Sequence, residues 1–355
     1  MLLWTAVSFL LCAWMPLVNR SKTGDMTDWF NDHVHHPFAT WVALHKGTQI
    51  YTRPFAEIWD DSGYPHELKV WGEMPMAYPP GVFALFLPTT LIGAWVPMSD
   101  HAFGVLNELL MILLGHLAFL AVLLALKELP VGSRAVVGLF AWMTILTLAL
   151  NGFFDPVFIG AGAMMVRSIA RKEHSRALVW LGVGALLHFR MAAFAPFGLY
   201  ALVQLIRERK QQPLPWKSLA FLAVAGLVCV WSFWMMYLAT AAFRAGHPPV
   251  LAGFGKTMVI VYSLVAAGAV FWFADVWVAL AVLLCLLLAL VETQNYFWHG
   301  AIMLAPLLAV GAVKAGRRPS IARAVLIAWA VALGPLVWND SMVNLLAAFP
   351  KYFKV

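Results

Sequence analysis

The sequence predicts an all-α, polytopic membrane protein with about 11 to 13 transmembrane helices, because apolar runs of about the 20 residues that one crossing needs follow one another along the chain. Hydrophobic residues make up 62% of the 355 positions and charged residues only 12%. Soluble domains are typically about half apolar and about a quarter charged, so a soluble core does not explain this composition. Helices are expected because hydrocarbon offers an open backbone no hydrogen-bond partner.

The first apolar run, 1–18, has no basic residue before it and no small-residue cleavage site after it, so it predicts a retained span rather than a signal peptide. The later runs lie at 80–97, 102–126, 134–150, 153–170, 177–189, 191–206, 218–240, 257–274, 276–291, 299–315 and 321–338. The predicted organisation is a single integral-membrane domain, 1–355, with a first span at 1–18, a long first loop at 19–79, the remaining spans over 80–338 and a C-terminal tail at 339–355.

The net charge of +7 is explained by membrane topology rather than by nucleic-acid binding. The basic residues cluster in short turns between apolar runs, at 171–176, 207–217 and 314–323. Such turns remain on the cytoplasmic side of a membrane. This assignment places the turn at 188–191 on the outer side.

The first loop holds eight of the 17 acidic residues and five of the 11 histidines. If its start is helical, Asp28 and Asp32 lie four residues apart and His35 three beyond, so all three share a face. His36 adjoins them. A carboxylate beside histidines suits a general base; a solvated helix lying at the membrane interface is the alternative interpretation.

A metal site built from Asp32, His33, His35 and His36 is a further alternative, because imidazole and carboxylate both bind zinc or manganese. The spacing matches no closed metal motif, so we expect no metal or other cofactor.

Polar residues also lie at the outer ends of later predicted spans, where ionisable groups are costly and therefore candidates for function. His188 and Arg190 interrupt the apolar stretch 177–206 and suit a lipid-borne phosphate, which arginine grips through several donors. A tight external turn with a snorkelling arginine is the alternative. Asn295 and His299 lie in and beside a polar patch before the run at 299–315, where a histidine could orient a leaving phosphate or a sugar hydroxyl.

Several short motifs follow one another in a defined order. Asp32 precedes the Gly-x-x-x-Tyr stretch Gly47–Tyr51, and Tyr78-Pro79-Pro80 follows; later come Gly184 to His188 and Arg190, then Pro196, and finally Trp298-His299. In this order they resemble the GT-C superfamily of integral-membrane glycosyltransferases. The closest resemblance within it is to the polyprenol-phosphate-mannose-dependent mannosyltransferases related to phosphatidylinositol-mannoside synthesis. His188 or Arg190 stands where that family has a lysine.

The resemblance implies a GT-C-like bundle in a bacterial-type inner membrane, with interfacial helices in an extracytoplasmic first loop and an active site on the outer side. The implied reaction is the inverting transfer of one sugar, mannose or a similar hexose, from a polyprenyl-phosphate carrier to a lipid or glycan acceptor. The implied partners are these two substrates and the membrane, without nucleic acid. The implied roles are a general base, Asp32 with Asp28 as rival; donor-phosphate binding by His188, Arg190 and His299; and sugar or acceptor binding by His35, His36, Asn295 and Tyr78.

Charge counting conflicts with this outer site. Counting back through every apolar run from the basic turns puts the first loop inside, and Arg20 and Lys22 agree with that side. One miscounted crossing between 80 and 151 restores agreement. The candidates for that crossing are the proline-interrupted run 80–97 and the run 102–126, which carries polar residues.

A membrane transporter or flippase is the alternative function for a chain with many spans, although no duplicated pair of interrupted helices is present. A polysaccharide polymerase or ligase also uses polyprenyl-linked sugars. Its large loop usually comes late and is rich in arginine and histidine, whereas the large loop here is first and acidic.

Overall fold

The computed structural model describes residues 2–19, 31–59, 62–66, 75–76, 78–127, 138, 141–142, 145, 149, 155–209 and 213–241. Within them every regular element is a helix, which confirms the all-α prediction for this part of the chain. Two 3-10 turns lie at Gly47–Tyr51 and Phe189–Phe194. The α-helices are α1 (Leu2–Asn19), α2 (Asn31–Lys46), α3 (Phe55–Trp59), α4 (Gly81–Trp95), α5 (Asp100–Leu126), α6 (Asp155–Ala170), α7 (His174–Leu187), α8 (Ala195–Glu208) and α9 (Trp216–Ala239).

Two of these helices, α5 and α9, are long and apolar enough to cross a membrane. They contain 27 and 24 residues, whereas one crossing needs about 20. Most of α9 is not covered by the rest of the described structure: Leu227 is 72% exposed and Trp216 71%. Apolar side chains exposed along a whole helix are expected where lipid is the solvent.

Helix α5 is continuous from Asp100 to Leu126. The Ser99 hydroxyl accepts a hydrogen bond from the Ala102 amide and caps its N-terminus. Three polar residues inside it, Asn107, Glu108 and His116, are buried. Of the two candidates for the miscounted crossing, the run 102–126 is the less favoured, because the helix passes through these residues without a break.

Helices α1 and α5 pack antiparallel. Trp4 contacts Phe119, Ser8 contacts His116, and Cys12 contacts Ile112, so residue numbers rise along one helix as they fall along the other. It follows that the end of α1 and the start of α5 lie at the same end of this pair. The chain from 20 to 99 therefore leaves and returns at one end.

A buried hydrogen-bonded group fixes the pairing of α1 with α5. His116 donates Nδ1–H to the Ile112 carbonyl at 2.7 Å, which leaves Nε2 of the neutral ring to accept from the Ser8 hydroxyl at 2.8 Å. The Trp142 indole N–H donates to the same Ser8 oxygen at 2.8 Å. Interhelical hydrogen bonds of this kind typically contribute about 0.6 to 2 kcal/mol in membrane proteins.

Helix α2 belongs to a hydrophobic cluster of buried residues rather than to an exposed surface. Four consecutive residues, Pro37 to Thr40, are buried, so the helix is covered on several sides. Its neighbour is α4, whose Thr90 hydroxyl donates to the Pro37 carbonyl at 3.2 Å. The alternative of a solvated helix does not describe this middle part of α2. The helix ends at Lys46, and Gly47 follows with a φ of +60°, a conformation that glycine adopts without strain.

The N-terminus of α4 meets the C-terminus of α7. A Cβ added to Gly81 would lie 2.5 Å from the Leu186 carbonyl oxygen and 2.9 Å from its carbon, so only glycine permits this approach of two backbones. This contact joins the end of the first loop to the turn that follows α7.

Candidate functional site

The structure brings together five of the residues singled out in the sequence: His35, His36, Tyr78, His188 and Arg190. Ring centroids lie 5.3 Å apart for His35 and His36, 5.2 Å for His36 and Tyr78, and 5.1 Å for Tyr78 and His188. All three pairs meet edge to face, a favoured geometry for aromatic rings. We call these four rings the histidine–tyrosine row. It joins α2, the segment before α4 and the end of α7.

Tyr78 is held in the row by the Gly47–Tyr51 turn. The Tyr51 hydroxyl donates to the Tyr78 carbonyl at 3.0 Å, and the Met76 amide donates to the Ile50 carbonyl at 2.9 Å. The Gly-x-x-x-Tyr and Tyr-Pro-Pro motifs are therefore in direct contact. Pro79 and Pro80 then lead into α4, where proline is tolerated because the first helical amides have no partner within the helix.

His188 ends α7 in an extended conformation and is 1% exposed. Its Nδ1 accepts a hydrogen bond from the Arg190 backbone amide at 3.0 Å. Because Nδ1 is an acceptor, the neutral ring carries its proton on Nε2. The ring also packs against Phe158, with centroids 4.8 Å apart. His188 is thus a positioned N–H donor two residues before a permanent cation, Arg190.

His35 and His36 lie inside α2 among aromatic rings. His36 is 3% exposed, and its ring tilts over Phe86 at 4.8 Å. His35 packs against Phe55 at 4.5 Å. Part of His35 reaches the surface, but its Nδ1 is shielded and has no hydrogen-bond partner among the described residues. Burial lowers the pKa of His35 to about 3, so this ring is neutral at physiological pH.

The predicted bases lie at or before the start of α2. The main chain of Asp32 is in the first turn of this helix, three residues before His35, which is about one helical turn. The Asp32 side chain is not among the described ones, and Asp28, Asn295 and His299 lie outside the described residues.

Chemically, the site combines N–H donors with a fixed positive charge. Neutral His188 offers Nε2–H, and the Arg190 guanidinium lies 6.0 Å from the Phe189 ring centroid. Such an arrangement can bind a phosphate oxygen and stabilise charge that develops on it. In the described part of the chain, no three histidine, cysteine, aspartate or glutamate side chains are grouped to hold one metal ion.

Two buried polar residues in the run 102–126 were not predicted as functional from the sequence. Asn107 and Glu108 are both 0% exposed on α5, the helix that contacts α1, α2 and α6. The Asn107 amide donates to the Phe103 carbonyl at 2.9 Å. An acidic residue inside a long apolar run was the signal that could have identified Glu108, since burying a carboxylate in such a helix is costly.

Comparison of the chain with protein-family models, with curated proteins and with solved structures finds no match. The functional inference therefore rests on the motifs and on the geometry of the histidine–tyrosine row.

Proposed function

We propose that this protein is an integral-membrane glycosyltransferase of the GT-C type, which transfers one hexose from a polyprenyl-phosphate carrier to a lipid or glycan acceptor at the outer face of an inner membrane. The observation that carries the proposal is the histidine–tyrosine row itself. His36 and His188, more than 100 positions apart in the sequence, meet through Tyr78, and Tyr78 and His188 each belong to a motif on which the resemblance was based.

The proposed reaction needs one carboxylate and one phosphate-binding group. The Asp32 carboxylate takes the proton of the acceptor hydroxyl while its oxygen bonds to the anomeric carbon of the sugar. The bond between that carbon and the phosphate oxygen breaks, and the polyprenyl phosphate leaves with the electron pair. Attack from the opposite face inverts the configuration. Arg190 and the Nε2–H of His188 offset the charge that develops on the departing phosphate.

An outer active site requires an even number of crossings between the first loop and His188. We infer that α4 does not cross the membrane. The antiparallel pairing of α1 with α5 supports this, because the chain between them returns to the end that it left. Contacts at both ends of α4 support it too: Gly81 adjoins Leu186, and the Gly93 carbonyl accepts from His66 of the first loop.

With α4 removed from the count, the charge rule and the proposed site agree. The spans α5, 134–150, α6 and α7 then make four crossings, so the first loop and His188 share a side. The basic turn between α6 and α7 is cytoplasmic by its charge, which makes that shared side extracytoplasmic.

A transfer assay tests the function. We expect the wild-type protein in liposomes to move radiolabelled mannose from polyprenyl-phosphate mannose to phosphatidylinositol mannoside. Asp32→Ala should lower the rate by about 100-fold or more, the usual contribution of a general base, while Asp28→Ala stays active. Arg190→Gln should also slow transfer, whereas Arg207→Gln, which changes a basic residue in the last turn of α8, should not.

The outcomes separate the alternatives. If Asp32→Ala keeps full transfer activity and Asp28→Ala loses it, Asp28 is the general base. If both variants keep full activity, the proposed mechanism is wrong. Movement of the intact donor lipid across the bilayer, without sugar transfer, indicates a flippase or transporter. Joining of lipid-linked sugar chains to one another indicates a polymerase or ligase.

A further inference from the structure

His66 of the first loop lies between the end of α4 and the start of α5. Its Nδ1 is 2.8 Å from Asp100 Oδ1, and its Nε2 is 3.0 Å from the Gly93 carbonyl oxygen. The ring lies flat on Phe103, with centroids 4.0 Å apart and planes 5° apart. His66 is 4% exposed, and a Cβ on Gly93 would collide with Phe103 beneath the ring. The imidazole is therefore enclosed with both nitrogens engaged.

The protons in this contact can be counted from its geometry. A carbonyl oxygen only accepts, so Nε2 of His66 carries a proton. The contact between Nδ1 and Asp100 needs a second proton, on the ring nitrogen or on the carboxyl oxygen. Without that second proton, the neutral ring carries hydrogen on one nitrogen only, so a bare lone pair faces either the Asp100 carboxylate or the Gly93 carbonyl, and one of the two contacts is lost. The intact contact thus requires one more proton than a neutral histidine beside an ionised aspartate provides.

The same segment is attached to α2. The Trp41 indole N–H donates to the Ser62 carbonyl at 2.8 Å, and the Tyr64 ring packs against Phe38 at 5.5 Å. The Tyr64 amide donates to the Ser62 hydroxyl at 3.2 Å. Residues 62–66 therefore connect α2, which carries His35 and His36, to the junction between α4 and α5.

We propose that His66 and Asp100 form a proton-dependent latch, which fastens residues 62–66 to the α4–α5 junction when the pair holds the second proton and releases them when that proton is lost. The latch does not depend on the proposed sugar transfer. It makes attachment of the first loop to the bundle stronger in acid and weaker in alkali.

The groups around the pair are compatible with this behaviour. Asp100 is 53% exposed, so solvent reaches the carboxylate. Burial, and secondly the charge of Asp100, raise the pKa of the Tyr64 phenol, so it stays neutral. His101 follows Asp100 on α5, and His45 lies one turn beyond Trp41 on α2, where its Nδ1–H donates to the Trp41 carbonyl. The facing turns of α4, 89–96, contain no titratable side chain.

Hydrogen–deuterium exchange of the amides in 62–66 tests the latch in the full-length protein in lipid nanodiscs. Exchange rates are measured from about pH 5 to about pH 9 and are corrected for the intrinsic effect of pH on exchange. We expect the protection of these amides against exchange to fall at least about tenfold in the wild-type protein as pH rises, because one buried hydrogen bond is replaced by a repulsion.

Two variants distinguish the latch from ordinary packing. Asp100→Asn should keep 62–66 protected at every pH, because an amide N–H donates to Nδ1 of the neutral ring without an added proton. His66→Phe keeps a ring on Phe103 but makes neither hydrogen bond, so its segment should exchange rapidly at every pH. His45→Gln, the matched control, should follow the wild-type profile. Amides of α9 report whether each variant is folded.

The proposal is overturned if corrected exchange in the wild-type segment is the same at both ends of the pH range. It is also overturned if Asp100→Asn keeps the pH dependence of the wild-type protein, since a different group would then carry the proton.

Discussion

His188 shows how one residue acquires its chemical character from its neighbours. The Arg190 amide occupies Nδ1, which places the proton on Nε2, and Phe158 and Tyr78 enclose the ring. The sequence identified His188 and Arg190 as polar interruptions of an apolar stretch. It did not predict the Nδ1 contact or the approach of Tyr78, because spacing along the chain carries no information about a partner 110 positions away.

His35 gives a testable pH dependence at the residue scale. Burial lowers its pKa from 6.5 to about 3. The unfolded chain thus binds this proton at a higher pH than the folded protein, so the free energy of unfolding should fall as pH drops from about 6.5 towards about 3. His35→Phe keeps a ring against Phe55 and cannot bind the proton. Its thermal unfolding midpoint should fall less than that of the wild-type protein between pH 7 and pH 4.5, measured in nanodiscs.

The exposed residue His45 on the same helix provides the control. His45→Phe should lose stability on acidification as the wild-type protein does. If His35→Phe loses as much as both, the ring of His35 is not buried in the neutral form.

At the scale of elements, apolar composition predicted where helices lie but not what they pack against. The runs 80–97 and 102–126 correspond closely to α4 and α5. Hydropathy does not distinguish a membrane crossing from a helix covered by other protein, so it counts α4 as a span, whereas we propose that α4 stays on one side of the membrane. The burial of α2 could not be read from its composition, because the helix contains many polar residues. Some of these make hydrogen bonds within the helix itself: the Thr40 hydroxyl donates to the His36 carbonyl.

The contact between α4 and α7 predicts an effect of one methyl group. In Gly81→Ala the new Cβ would lie 2.5 Å from the Leu186 carbonyl oxygen, and a backbone atom cannot rotate away. We expect a loss of about 1 to 3 kcal/mol in stability, and slower sugar transfer because Tyr78 moves relative to His188. Thermal unfolding and the transfer assay measure the two effects.

Gly226 in α9 offers a matched substitution, because a Cβ there meets nothing within 4 Å. Gly226→Ala should leave transfer unchanged and raise stability by up to about 1 kcal/mol through helix propensity. Equal effects of the two substitutions would mean that the α4–α7 contact does not position Tyr78.

At the scale of the whole molecule, the pairing of α1 with α5 changes the interpretation of the chain's topology. Charge alone placed the first loop inside, because every apolar run was treated as a crossing. The helix pair returns the chain to the end that it left, which supports the proposal that α4 makes no single crossing between them. The proposed outer site depends on the pairing of α1 with α5. The exposed apolar face of α9 fits a protein surrounded by lipid.

Side-specific cysteine labelling tests most directly whether the first loop and the His188 turn share the extracytoplasmic side, as the proposed transfer requires. In a variant without native cysteines, Ala56→Cys and Val96→Cys flank α4, and Arg176→Cys marks the basic turn. All three positions are exposed. A membrane-impermeant maleimide applied to intact cells should label the first two, and Arg176→Cys only after permeabilisation. Labelling of Val96→Cys or Ala56→Cys solely from the cytoplasmic side would contradict the proposed outer active site.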